Sequence, residues 1–112
     1  MSNRPTGFKF LGKNYEIEYV AHVDCDSSPE LENCYLFGVT NEAGKKIQVR
    51  DDLDKNEEVD TTVHEIFHAI DLTVDLELTE RQIRVLATSF ISILETTPEL
   101  REYLYANTQL QS

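Results

Sequence analysis

The run Thr61-Thr62-Val63-His64-Glu65-Ile66-Phe67-His68-Ala69-Ile70-Asp71 decides how the rest of the chain is read. From about Glu57 to Val74 the apolar residues Val59, Val63, Ile66, Phe67, Ile70 and Val74 recur at helical spacing. The run therefore predicts an amphipathic helix, with the pattern His64-Glu65-x-x-His68 inside it. Four residues on a helix advance about 400°, so the two histidines stand one turn apart on one face. With His64 at about 0°, His68 falls near 40°, Asp71 near −20° and Asp75 near 20° at roughly 100° per residue. Val63, Phe67, Ile70 and Val74 fall between about −60° and −120°. The histidines share a polar face beside the apolar stripe.

Downstream, Thr79-Glu80-Arg81-Gln82 is a capping box with Thr79 as N-cap. It opens a second helix with the stripe Ile83, Leu86, Ala87, Phe90 and Leu94. Thr97-Pro98 is placed to cap a last short helix with Pro98 at its first position, docked by Tyr103, Leu104 and Tyr105. The tail from Asn107 is polar and expected to fray.

Upstream, the pattern switches to strands. Phe8-Lys9-Phe10-Leu11 alternates, Gly12-Lys13-Asn14 marks a turn, and Tyr15-Glu16-Ile17-Glu18-Tyr19-Val20 alternates again. These runs predict a hairpin. Asp24 to Asn33 reads as an acidic loop. Cys34-Tyr35-Leu36-Phe37-Gly38-Val39 reads as a third strand, Asn41-Glu42-Ala43-Gly44 as a turn and Lys46-Ile47-Gln48-Val49-Arg50 as a fourth strand. The expected class is α+β: an N-terminal antiparallel sheet of three to four strands, covered by the helix carrying the histidines and by a second C-terminal helix. A length of 112 residues fits one domain over 1–112, with 1–7 and 107–112 expected to be flexible.

Lys and Arg total 10 against 21 Asp and Glu, a net charge of −11. Phosphate-backbone binding needs a positive footprint, so nucleic acid is not an expected partner. Anionic membrane surfaces are disfavoured for the same reason. No apolar run reaches the ~20 residues that span a bilayer, and the start lacks the apolar segment of a signal peptide. A cytoplasmic, monomeric protein is the expectation. Cys25 and Cys34 then read as free thiols.

Chemistry concentrates on His64, Glu65 and His68. Two imidazoles one helical turn apart can reach a single Zn²⁺ at about 2.0–2.1 Å. Glu65 lies about 100° round the helix from His64, where it can take a proton from water without ligating the metal. The bland alternative is a pair of surface histidines with a salt-bridging glutamate. A third protein ligand must come from Asp71, Asp75, Glu77 or Glu80. Asp71 is on the right face but close along the same helix, which suits a hydrogen bond to a ligand histidine better. Glu80 lies 12 positions after His68, and a helical hairpin would bring it back. As a plain structural residue, Glu80 would serve as a carboxylate favoured in a first helical turn. His22 reads as a surface histidine, and Tyr103 and Tyr105 as packing aromatics.

The stretch from Thr61 to Asp71, followed by Leu76-Glu77-Leu78-Thr79-Glu80-Arg81-Gln82-Ile83 and Leu86-Ala87, resembles small phage and prophage proteins with an HExxH metallopeptidase-like domain. Tyr35-Leu36-Phe37-Gly38-Val39-Thr40 and Lys46-Ile47-Gln48-Val49 resemble that family's strand pair. The resemblance covers roughly residues 8 to 100. It implies a minimal zincin of the gluzincin type, with a glutamate after HExxH completing the zinc site, and Glu80 is the matching position. It also implies a phage or bacterial cytoplasmic setting.

Three functions follow. The first is a zinc-dependent endopeptidase acting on a peptide or protein. The second is a zinc-binding regulatory or interaction protein that cleaves nothing. The third is an acidic protein that occupies a basic site on a partner, motivated by the charge.

Overall fold

The computed structural model describes residues 4–23 and 37–108. In chain order the elements are β1 (Gly7–Phe10), β2 (Lys13–Val20), β3 (Gly38–Asn41), β4 (Lys46–Arg50), α1 (Lys55–Val74), α2 (Glu80–Thr96) and α3 (Pro98–Thr108). They make a small α+β domain with one four-stranded sheet and three helices. Cys25, Cys34, the acidic stretch Asp24 to Asn33 and the start of the expected third strand lie outside the described residues.

The sheet is mixed, where a fully antiparallel one was expected. Its order is β1-β2-β4-β3. β1–β2 and β3–β4 are antiparallel, but β2 and β4 run parallel, with Ile17 opposite Ile47 and Tyr19 opposite Val49. β3 begins at the end of the sheet where β2 finishes, one strand's width away, and β4 fills the gap. Alternation assigns side chains to a face but carries no information on strand direction. The long segment between β2 and β3 frees the β3–β4 hairpin to dock either way.

Both hairpins turn on left-handed residues. Leu11 at φ 50° and Gly12 at φ 80° form a two-residue loop between β1 and β2, the arrangement that matches the twist of paired strands. That turn sits one residue earlier than expected. In the second hairpin, Asn41 Oδ1 accepts from the Gly44 amide at 3.0 Å and Lys45 takes φ 53°.

The core is Ile17, Ile47 and Val49, flanked by Phe8, Tyr19, Leu53 and Ile66. Helix α1 covers it. Asp54 caps α1, its side chain accepting from the Glu57 amide at 2.8 Å, so the helix starts two residues earlier than the apolar pattern indicated. The face of α1 toward the sheet is largely polar or small: Glu58, Thr61, Glu65 and Ala69 are buried. The expected stripe is only half-buried, and Val59 and Val74 are 39% exposed. Glu58 is compensated by Arg4 at 3.0 Å and Lys55 at 3.3 Å. Arg4, together with the Tyr19 hydroxyl donating to the Pro5 carbonyl at 2.7 Å, ties residues 4 and 5 to the domain.

Helix α2 has the expected Thr79–Gln82 capping box. It buries Ile83, Ala87 and Ile91, while Leu86 and Phe90 stay exposed. Helix α3 touches α2 alone among the elements it meets closely. Tyr103 and Tyr105 are exposed, so they do not dock it as expected, and the helix runs to Thr108. No helix among the described residues is long and apolar enough to cross a membrane.

α1 crosses β3 closely at Gly38. A Cβ there would stand 2.6 Å from Thr61 Cγ2, 2.9 Å from the Gln48 carbonyl oxygen and 3.1 Å from Glu65 Cγ. Gly38→Ala should therefore lower stability by about 1–3 kcal/mol through overpacking. Urea unfolding reads this directly, and an unchanged midpoint would show that the helix has room to give.

Candidate metal centre

His64 and His68 project from the middle of α1, their ring centroids 4.8 Å apart. At roughly 100° per residue, the buried positions Thr61, Glu65 and Ala69 centre about 100° to one side of His64, toward the sheet. Asp71 and Phe67 lie on the other side, toward α2. The histidines thus occupy the strip of α1 between the sheet and α2. Their side chains are 21% and 25% exposed.

Glu80, the first residue of α2, meets them both. Its Oε2 lies 2.7 Å from His64 Nε2 and its Oε1 2.9 Å from His68 Nε2. Arg84, one turn along α2, stands 4.0 Å from Glu80 Oε2. One ligand atom from each of His64, His68 and Glu80 falls within 4.8 Å of the others. Two ligands on a tetrahedron around Zn²⁺ are about 3.3 Å apart for bonds of about 2.0–2.1 Å.

Glu65 is buried at 6% exposure and stands outside the three-residue cluster. The Thr40 hydroxyl reaches its Oε1 at 2.6 Å and its carbonyl oxygen at 3.0 Å. Burial pushes the Glu65 carboxyl above its ordinary value. The Thr40 hydrogen bond and the nearby His68 and His64 oppose that rise, and Glu80 adds to it.

The remaining candidates separate. Asp71 is buried but does not join the histidines; its Oδ1 accepts from the Leu78 amide at 3.0 Å. The Asp71 carboxylate thus accepts from the α1–α2 connection, because the helix points it at the returning chain. Asp75 is the left-handed cap of α1 and Glu77 is exposed, and neither joins the cluster. His22 is exposed. Tyr103 and Tyr105 stand exposed on α3.

Two residues of the site escaped the sequence reading. Thr40 is one. It shares the core face of the sheet with Gly38 and Ile47, a placement that depends on the β3–β4 register. Gly38 is the other, although a glycine inside a strand is itself a signal of close backbone approach. Compared with family models, with curated proteins and with solved structures, the chain finds no match.

Because the folded state holds the Glu65 proton more tightly than the unfolded chain does, it binds more protons at a given pH. Stability of the metal-free protein should then fall as pH rises above 4.5, the ordinary value, through the raised folded one. Glu65→Gln should remove that component. Urea midpoints of the two proteins in chelator, from about pH 4 to 7, should diverge with the variant falling less; parallel curves would refute the assignment.

Proposed function

We propose that the chain is a zinc-dependent endopeptidase of the minimal gluzincin type. The observation that carries the reading is Glu80, which the fold returns across 12 positions to sit on both histidines of the HExxH helix. Two imidazole nitrogens and one carboxylate are a donor set that catalytic zinc sites use, with a fourth position left open. Zinc so held supplies a Lewis acid that polarises a carbonyl and acidifies water.

The protein's own groups divide the remaining work. Thr40 holds Glu65 Oε1, which leaves Oε2 as the atom to take a proton from water and pass it to the departing amine. Burial raises the proton affinity of that carboxylate, which suits a base that must also act as an acid. β3 is an edge strand among the described residues and lies against α1 beside Glu65. An extended peptide pairing with that edge would pass the cluster.

A second reading rests on a different observation. Val85, Leu86, Phe90 and Ile93 on α2 are exposed, as are Tyr103 and Tyr105 on α3. Such a surface fits a zinc-binding interaction protein that cleaves nothing.

Native mass spectrometry of wild type, His64→Ala and Glu80→Ala tests the metal first. One zinc in wild type, lost in both variants, is expected; none in wild type overturns both readings. Digestion of a peptide library then separates them. Glu65→Gln should keep its zinc and cleave about 10²–10⁴-fold more slowly. Zinc bound with no cleavage by the wild type selects the interaction protein.

A further inference from the structure

The connection from α1 to α2 is short and held in an uncommon conformation. Asp75 sits at φ 57° and Glu77 at φ 60°, both left-handed and neither a glycine. Left-handed backbone is unfavourable for a residue with a Cβ, and it persists only where surrounding contacts impose it. Three hydrogen bonds to Asp71 are among those contacts. The Asp71 carbonyl accepts from the Asp75 amide and from the Leu76 amide at 3.2 Å, and the Asp71 carboxylate accepts from the Leu78 amide at 3.0 Å.

Asp71 is thus bound to the chain at both ends of the turn. Asp71 is 8% exposed, so that bond forms out of bulk water, where losing the acceptor would leave the amide unpaired. Leu78 precedes Thr79, and Thr79 caps α2. Fixing the Leu78 amide against α1 therefore fixes where α2 begins. Glu80 is its first residue, 57% exposed and with no covering layer of its own to hold it.

We infer that Asp71 is a positioning residue whose buried carboxylate, by clamping the Leu78 amide, sets Glu80 on His64 and His68. The inference rests on the metal reading of that cluster and deepens it. Asp71 touches neither histidine, so it acts on the site through the backbone of the connection. Residues that orient a ligand in this way commonly change metal affinity by about 10–100-fold when removed.

The test is a thermodynamic cycle in zinc affinity, measured by competition with a chromophoric chelator on the full chain. Asp71→Ala should weaken zinc by about 10–100-fold. Asp71→Asn, which keeps an acceptor oxygen at the same place, should stay close to wild type. In the Glu80→Ala background, Asp71→Ala should have no further effect. The visible spectrum of Asp71→Ala loaded with Co²⁺ should move toward that of Glu80→Ala.

A loss of the same size with and without Glu80, or no loss at all, overturns the inference. If Asp71→Ala does not fold, the same cycle is run with Asp71→Ser, whose shorter side chain withdraws the acceptor from the Leu78 amide, and the same outcomes decide. The two readings fail separately. A wild type that binds no zinc sinks the metal site itself, whereas a wild type that binds zinc indifferently to Asp71→Ala sinks only the clamp.

Discussion

Helix α1 rests on strand β3 with no space for a side chain between them. Gly38 has no Cβ, and Thr61 Cγ2 and Glu65 Cγ occupy the volume that one would need. Two residues along the strand, the Thr40 hydroxyl bonds Glu65. One close approach therefore buries the carboxylate, gives it its partner and orients the helix about its own axis. That rotation leaves His64 and His68 between the sheet and α2 instead of beneath either. Tyr15 reinforces it further along, where its hydroxyl meets Thr73 Oγ1 at 3.0 Å.

This contact explains why α1 is buried on a polar face. A helix that must hold a carboxylate against a sheet gives up apolar area there. Glu58, Thr61 and Glu65 occupy positions that larger apolar side chains would fill in an ordinary two-layer domain. The cost of burying polar groups is met by partners: Arg4 and Lys55 for Glu58, Thr40 for Glu65, the Leu78 amide for Asp71. Among the described residues no buried side-chain nitrogen or oxygen lacks a partner, which is the condition under which such an interior is stable. Ile66 stays packed against the sheet core, while Phe67 meets Phe90 of α2 edge-on at 6.2 Å. Part of that apolar surface remains in solvent.

The site can be divided by how far apart its parts lie in the chain. His64, Glu65 and His68 are local, since helical period alone puts them in place. Glu80 depends on the connection between two helices. The Thr79 capping box marked where α2 starts, so a return of Glu80 toward α1 was a reasonable expectation, but Asp75 and Glu77 competed with it. Thr40 and Gly38 belong to another element altogether. Their relation to Glu65 exists only once β3 has its register and α1 has its rotation. Asp71 shows the limit most clearly: its place on the histidine face was legible, but its partner is a backbone amide seven residues on, which no side-chain pattern reveals.

The sequence by itself determined the local features: the HExxH helix, the cap and start of α2, strands β1, β2 and β4 with the inward residues Tyr15, Ile17 and Tyr19, and an α+β class. These follow from periodicity and capping, which are properties of neighbouring residues. Tertiary structure alone decided the parallel pairing of β2 with β4, the polar seat of α1, the exposure of Leu86, Phe90 and the α3 tyrosines, and the clamp at Asp71. Each of these depends on which distant surface an element meets. Apolar spacing says that a helix has a face to bury, but the contact with Gly38 and Thr40 chose which face it was.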